Sequence, residues 1–168
     1  MKLKILFLLI LLLSLSACQT TYEMELFEGQ DTVEIHTEWE DMGAAIDMKT
    51  YWKLADNLDG EVDTSTLGTY SIIYYREYGG KMYSVTRYVQ VVDQTAPVIT
   101  LNPGLDSIQV GDEWEDAGAT VYDNSLEELD ITVTGNVNIN IAGTYEIIYT
   151  AIDSSGNTTS VSRYVTVF

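Results

Sequence analysis

One histidine, one cysteine and 26 carboxylic acids are the side chains on which any catalysis by this 168-residue chain would rest. A reaction site needs an acid, a base or a nucleophile held against its partner. His36 is the sole imidazole, and no Ser–His or Cys–His arrangement assembles around it. Carboxylate pairs of the kind that cleave glycosidic bonds are abundant. With 26 acids, however, a pair at any chosen spacing is expected by chance. Neither a glycine-rich phosphate loop nor a Cys/His metal cluster is present. The residues therefore read as those of a non-enzyme that needs no cofactor.

Two groups could still bind something. Asp93, Asp123 and Asp153 are weak calcium candidates, since calcium takes six to eight oxygens, mostly from carboxylates close together. The preferred reading assigns no metal: Asp93 caps a turn, and Pro97 opens a strand where no ladder donor is needed. Tyr51, Trp52, Tyr75, Tyr78 and Tyr83 form an aromatic-rich stretch in the first half of the chain. Exposed Tyr and Trp make good contact residues because they offer large area at small entropic cost.

What positions these residues is a duplication. Glu38-Trp39-Glu40-Asp41 returns as Glu113-Trp114-Glu115-Asp116, and Gly68-Thr69-Tyr70 with Ile72-Ile73-Tyr74 returns as Gly143-Thr144-Tyr145 with Ile147-Ile148-Tyr149, both at an offset of 75. The ends, Ser84 to Val89 and Ser160 to Val165, match at 76, so one residue was gained or lost between Tyr74 and Ser84. A hairpin loop tolerates such a change. Within each copy the apolar residues alternate: Tyr145, Ile147, Tyr149 and Ala151 share one face, as do Val161, Val165 and Val167. This period of two, with β-branched and aromatic enrichment, predicts antiparallel strands. Asp153 to Asn157 reads as a turn. The expected architecture is all-β, two sandwiches in tandem, with the first domain over 22–93, a linker at 94–96 and the second domain over 97–168. No further domain is expected after Phe168.

Lys2 and Lys4 precede a nine-residue apolar run from Ile5 to Leu13, followed by Ser14-Leu15-Ser16-Ala17-Cys18. The run is well short of the ~20 residues of a membrane-spanning helix and fits a secretory leader over 1–17. Leu15-Ser16-Ala17-Cys18 resembles the lipobox of bacterial lipoproteins. The resemblance implies lipidation of Cys18, cleavage before it, and a short tether at 18–21. The expected address is outside the cell or in the periplasm, held to the membrane through that lipid. Cys18 is the only cysteine, so no intramolecular disulfide forms and the core must hold each copy. Losing the leader takes Lys2 and Lys4 from the 8 basic residues and none of the 26 acidic ones, leaving a net charge of −20. Such a surface repels phosphate backbones, so nucleic acid is not an expected partner.

Gly143-Thr144-Tyr145-x-Ile147-x-Tyr149, then Ala151-x-Asp153-x-x-Gly156-Asn157 and Arg163-x-Val165-x-Val167, resembles a bacterial Ig-like domain. It is similar in particular to a family first described from a pesticidal crystal protein and common on bacterial surface proteins. Trp114-Glu115-Asp116-x-Gly118-Ala119 and Asp93-x-Thr95-Ala96-Pro97 fit the same pattern. The first copy departs from it, with Tyr75 to Lys81 in place of the Ala-x-Asp-x-x-Gly-Asn turn. The resemblance implies an Ig-like sandwich in each copy and a structural or binding accessory without catalytic residues.

Aligning the copies separates scaffold from what belongs to one of them. His36 stands opposite Gly111, which marks a turn. Arg87 and Arg163 recur on inward faces and each needs a carboxylate within its own copy, Asp41 or Asp116 being one candidate among several. Tyr51 and Trp52 stand opposite Leu126 and Glu127, and Tyr75 opposite Thr150. The first copy thus carries aromatics that the second does without. They are expected to form a contact patch for a protein or a glycan, or else to fill a local core. The alternative to a binding module is a structural spacer or assembly component of the envelope with no ligand of its own.

Overall fold

The computed structural model describes residues 22–49 and 51–168; the leader and Cys18 lie outside them. Thirteen strands and no helix make up the described chain. The first copy holds β1 (Glu23–Leu26), β2 (Thr32–Glu34), β3 (Ala44–Asp47), β4 (Trp52–Leu54), β5 (Asn57–Asp59), β6 (Gly68–Tyr78) and β7 (Lys81–Val92). The second holds β8 (Val98–Leu101), β9 (Ser107–Ile108), β10 (Ala119–Tyr122), β11 (Thr132–Thr134), β12 (Gly143–Ile152) and β13 (Thr158–Val167). Each copy faces one sheet against another. In the first, β1-β3-β4 packs on β2-β7-β6-β5; in the second, β8-β10 packs on β9-β13-β12-β11. No sheet mixes strands of the two copies.

The pairing is antiparallel except at one edge of each sandwich. β2 runs parallel to β7 and β9 parallel to β13. The chain passes from one sheet to the other after β1 and after β8. It therefore reaches its new neighbour by a crossover and not by a hairpin, which is what parallel pairing requires.

The long hairpins explain the slip in offset. β6 and β7 pair from Gly68 with Val91 to Tyr78 with Lys81, leaving only Gly79-Gly80 as the loop. Both glycines sit at positive φ, 59° and 74°. A two-residue turn that matches the strand twist demands this of both central positions. β12 and β13 stop pairing at Ile152 with Thr158, so Asp153 to Asn157 loops out instead. The first copy lengthened its strands where the second kept a loop.

Alternation builds the cores. Ile72 and Tyr74 of β6 face inward with Val89 and Val91 of β7, and meet Met24 and Ile46 of the opposite sheet, all at most 9% exposed. Ile147, Tyr149, Ala151, Val165 and Val167 repeat this in the second copy beside Ile99 and Ile108. Burying such side chains contributes roughly 1.5–3 kcal/mol each, which stands in for the absent disulfide. β4 has no partner in the second copy: Glu127-Glu128-Leu129, at the corresponding positions, form no strand.

Candidate functional site

Much of what recurs between the copies is scaffold bonding. Trp39 donates its indole N–H to the Gln30 carbonyl at 2.8 Å, and Trp114 donates to that of Leu105 at 2.8 Å. The Tyr70 and Tyr145 hydroxyls reach back four residues to the Thr66 and Ile141 carbonyls, each at 2.8 Å. His36 takes a φ of 59° where Gly111 takes 88°. Its backbone N–H is held by the Thr64 carbonyl at 2.8 Å, as that of Gly111 is by Ile139. The histidine is a turn residue.

The two buried arginines find carboxylates within their own copies. Arg87 donates Nη1 to Asp31 Oδ1 at 2.6 Å, and Arg163 to Asp106 Oδ1 at 2.7 Å. Their Nη2 atoms donate to the Phe27 and Asn102 carbonyls. Asp41 and Asp116 instead accept the Tyr74 and Tyr149 hydroxyls, with Asp116 a further 3.9 Å from Arg163 Nε. Burial first, then the Asp41 carboxylate, pushes the Tyr74 hydroxyl up to about 12. Tyr149 is raised in the same way.

The aromatic residues of the first copy divide into three places. Tyr78 and Tyr83 lie on the inward face of the β6–β7 hairpin, packed at the end of the core. Tyr22 meets Tyr78 edge-on at 5.7 Å, and Lys53 Nζ stands 4.8 Å above the Tyr78 ring. Tyr51 is close enough to be the largest influence raising the Tyr78 hydroxyl, ahead of burial, with Tyr22 and Tyr83 adding to it. Tyr75 does not join them. It is three residues from Tyr78 on one strand, and odd separations point to opposite faces of a sheet. Trp52 stands apart again, edge-on to Phe27 at 5.9 Å.

Trp52 and Leu54 share the outer face of β4 and are 50% and 60% exposed. Beside them a groove of about 300 Å³ runs between β4 and β5, the edge strands of the two sheets. Phe27, Leu54 and Leu58 give it an apolar wall, and Asp41, Asp56 and Asn57 place polar groups along it. The groove can therefore offer an aliphatic and aromatic surface together with hydrogen-bond acceptors.

A second cluster lies where the copies meet. Asp93 follows β7, Asp123 follows β10 and Asp153 follows β12; each can offer one carboxylate oxygen within 4.8 Å of the others. Their exposures are 7%, 2% and 5%. Burial, and then the other two aspartates, push the Asp93 carboxyl up, against the lowering effect of the Thr95 N–H. Nearby, Glu34 on β2 binds the linker and the second copy at once. Its carboxylate accepts the Gln94 and Thr95 N–H groups, the Thr95 hydroxyl and the Asn124 amide, at 2.8–3.1 Å. Asn157 adds a bond to the Asp93 carbonyl at 3.2 Å.

Family comparison matches the chain twice, over residues 27–91 and 102–167, to a model described as bacterial surface protein, Ig-like domain. The chain belongs to that family. A search of the curated proteins found no match. Membership makes the protein a surface-associated module with two Ig-like domains, of a family that is typically non-catalytic. The two Ig-like matches each contain both a scaffold tryptophan and a buried arginine, in line with their shared bonding.

Sequence reasoning missed Phe27, Leu58 and the Glu34 clasp. Phe27 lies outside every repeated motif, and its partner Trp52 is remote in sequence. Glu34 aligns with Gln109 and was marked by nothing but its charge. Among the described residues no helix is long and apolar enough to cross a membrane.

Proposed function

We propose that the protein is an exported lipoprotein, held to the membrane through lipid on Cys18, whose first Ig-like domain binds a ligand in the groove beside β4. The observation that carries the reading is β4 itself. The second domain folds without this strand, yet in the first it places Leu54 in the wall of an apolar groove and holds Trp52 exposed against Phe27 of the same wall. A fold that does not need the strand for its core retains it for its surface. Trp52 and Phe27 beside Asp41, Asp56 and Asn57 favour a glycan over a protein, because a sugar ring presents an apolar face edged by hydroxyl donors. Tyr78 and Tyr83 pack at the end of the core, Tyr51 stands exposed beside Tyr78, and Tyr75 lies on the far face.

The test is a glycan and envelope-protein screen with the purified full chain, followed by titration of any ligand found against Trp52→Ala and Leu54→Ser. Affinity should fall at least tenfold in each with little change in melting temperature. Unchanged affinity in both variants removes the groove as the site. A stiff spacer without a ligand is the second reading, favoured by the Glu34 clasp; it predicts an empty screen.

A further inference from the structure

We propose that Asp93, Asp123 and Asp153 form a calcium site that braces the junction between the two domains. Each of the three is more than nine-tenths buried. Two carboxylate oxygens, Oδ2 of Asp93 and Oδ2 of Asp123, are buried without any hydrogen-bond partner. The opposite oxygens are fixed by short local bonds. Thr95 N–H holds Asp93 Oδ1 at 3.2 Å, and the Ser125 N–H and hydroxyl hold Asp123 Oδ1 at 2.9 and 2.6 Å. Asn157 holds both oxygens of Asp153, at 2.7 and 2.8 Å. The side chains are thus oriented from behind, with unpaired oxygens left over in the shared interior.

Charge makes the case sharper. The ion pairs of the described residues involve Arg76, Arg87 and Arg163 only, so no lysine or arginine neutralises the three carboxylates. Burying unpaired charge is costly, and buried charges are ordinarily paired or bound to metal. The geometry suits a single ion: two oxygens each about 2.4 Å from one calcium lie at most about 4.8 Å apart. An all-oxygen donor set selects a hard cation. Magnesium demands near-ideal octahedral geometry and keeps several waters, whereas calcium accepts irregular carboxylate cages. A further oxygen, Asn124 Oδ1, is also buried without a partner, and its amide nitrogen already bonds Glu34 of the first domain.

The sandwich does not require these acids. At the offset of 75, Asp123 and Asp153 correspond to Met48 and Tyr78, which close the same end of the first domain with apolar contacts. One copy caps that end with a packed cluster and the other with three carboxylates. The difference falls where the linker aspartate arrives from the first domain, so an ion there joins the linker to two loops of the second.

The experiment uses the purified full chain stripped with EDTA, titrated calorimetrically with calcium chloride and melted in EDTA, calcium and magnesium. The expected result is one calcium per chain, in the ~10⁻⁴–10⁻³ M range of extracellular modules. At calcium ten times its Kd the folded-to-unfolded ratio rises about elevenfold. For a domain of this size that lifts the melting temperature by roughly 6–11 °C. Asp123→Asn should abolish the calcium response while melting no lower than the parent in EDTA, since it removes one of the three charges. Should that variant not fold, the parent titration still decides. Identical melts in EDTA and 5 mM calcium with no binding heat overturn the site. An undiminished response in a folded Asp123→Asn places the ion elsewhere and overturns the assignment, and an equal response to magnesium overturns the choice of calcium. None of these outcomes bears on the groove beside β4, some distance from the junction in sequence and on the other domain's edge.

Discussion

Removing Asp31, an exposed residue, should damage the first domain at least as much as removing its buried partner as well. The Arg87 side chain is 2% exposed and the Asp31 side chain 59%, with 2.6 Å between their charged atoms. In Asp31→Ala the guanidinium keeps only the Phe27 carbonyl and remains buried as an uncompensated charge. Stranding a buried charge costs about 3–5 kcal/mol. The open side vacated by Asp31 admits water, which puts the expected cost at the lower end, about 3 kcal/mol. In the Arg87→Met, Asp31→Ala double variant the charge is gone, methionine fills much of the stem's space, and what remains is an unpaired Phe27 carbonyl. That defect costs about 1–3 kcal/mol. The double variant should therefore be as stable as Asp31→Ala or up to about 2 kcal/mol better. The assay is urea unfolding followed by tryptophan fluorescence, with thermal melts in parallel; 3 kcal/mol corresponds to roughly 12–24 °C for a domain of this length. A cost below about 0.5 kcal/mol for Asp31→Ala would show that solvent screens the arginine completely. A double variant clearly worse than the single would show that the arginine stem, and not its charge, carries the contribution. Either result refutes the reasoning.

Two glycines of the second domain separate backbone strain from steric exclusion. Gly135 has a φ of 95°, and an added Cβ would lie 2.1 Å from the Glu146 carbonyl oxygen, whereas Gly156 at 91° has nothing within 4 Å. Alanine at 156 should cost about 1–2 kcal/mol from conformation alone, and alanine at 135 should cost at least about 2 kcal/mol more through the clash; equal urea midpoints for the two variants would contradict this. The Tyr74 hydroxyl, raised to about 12 in the fold against about 10 unfolded, contributes stability that is full below pH 10 and lost as pH rises towards 12. Up to about 2–3 kcal/mol of alkaline destabilisation of the first domain should vanish in Tyr74→Phe, read as urea midpoints between pH 9 and 12; an unchanged pH slope would exclude the tyrosine as its source.

The internal repeat made the scaffold legible. Trp39 with Trp114, Tyr70 with Tyr145 and the two arginines stand at matching places in both copies and make matching bonds. The same repeat could not choose the arginine partners, because Asp31 and Asp106 share the offset that Asp41 and Asp116 share. Only the crossing of the chain from β1 to β2 carries Asp31 to Arg87. The separation of Tyr75 from Tyr78 follows from strand parity and was open to reading. The approach of Tyr51 to Tyr78, and of Phe27 to Trp52, joins residues 25 or more apart; the first depends on how the two sheets face each other and the second on the strand order β1-β3-β4 within one sheet. The aspartates illustrate the same limit. Each could be placed after a strand, but their convergence depends on three strands ending at one end of the second sandwich.

The parallel edge pairing has a mechanical consequence. β2 enters the first-domain ladder near the N-terminal end of the domain, and β7 leaves it towards the second domain, with Thr32 opposite Gln90 and Glu34 opposite Val92. Because these strands run in the same direction, tension applied along the chain draws them past one another instead of peeling them apart. All bonds of the ladder, including those of Ile35 to Val92 and of Gln90 to Asp31 that flank it, then share the load at once. The β9–β13 pair repeats the arrangement in the second domain. A chain with this edge in both halves is built to resist pulling from its two ends by shear.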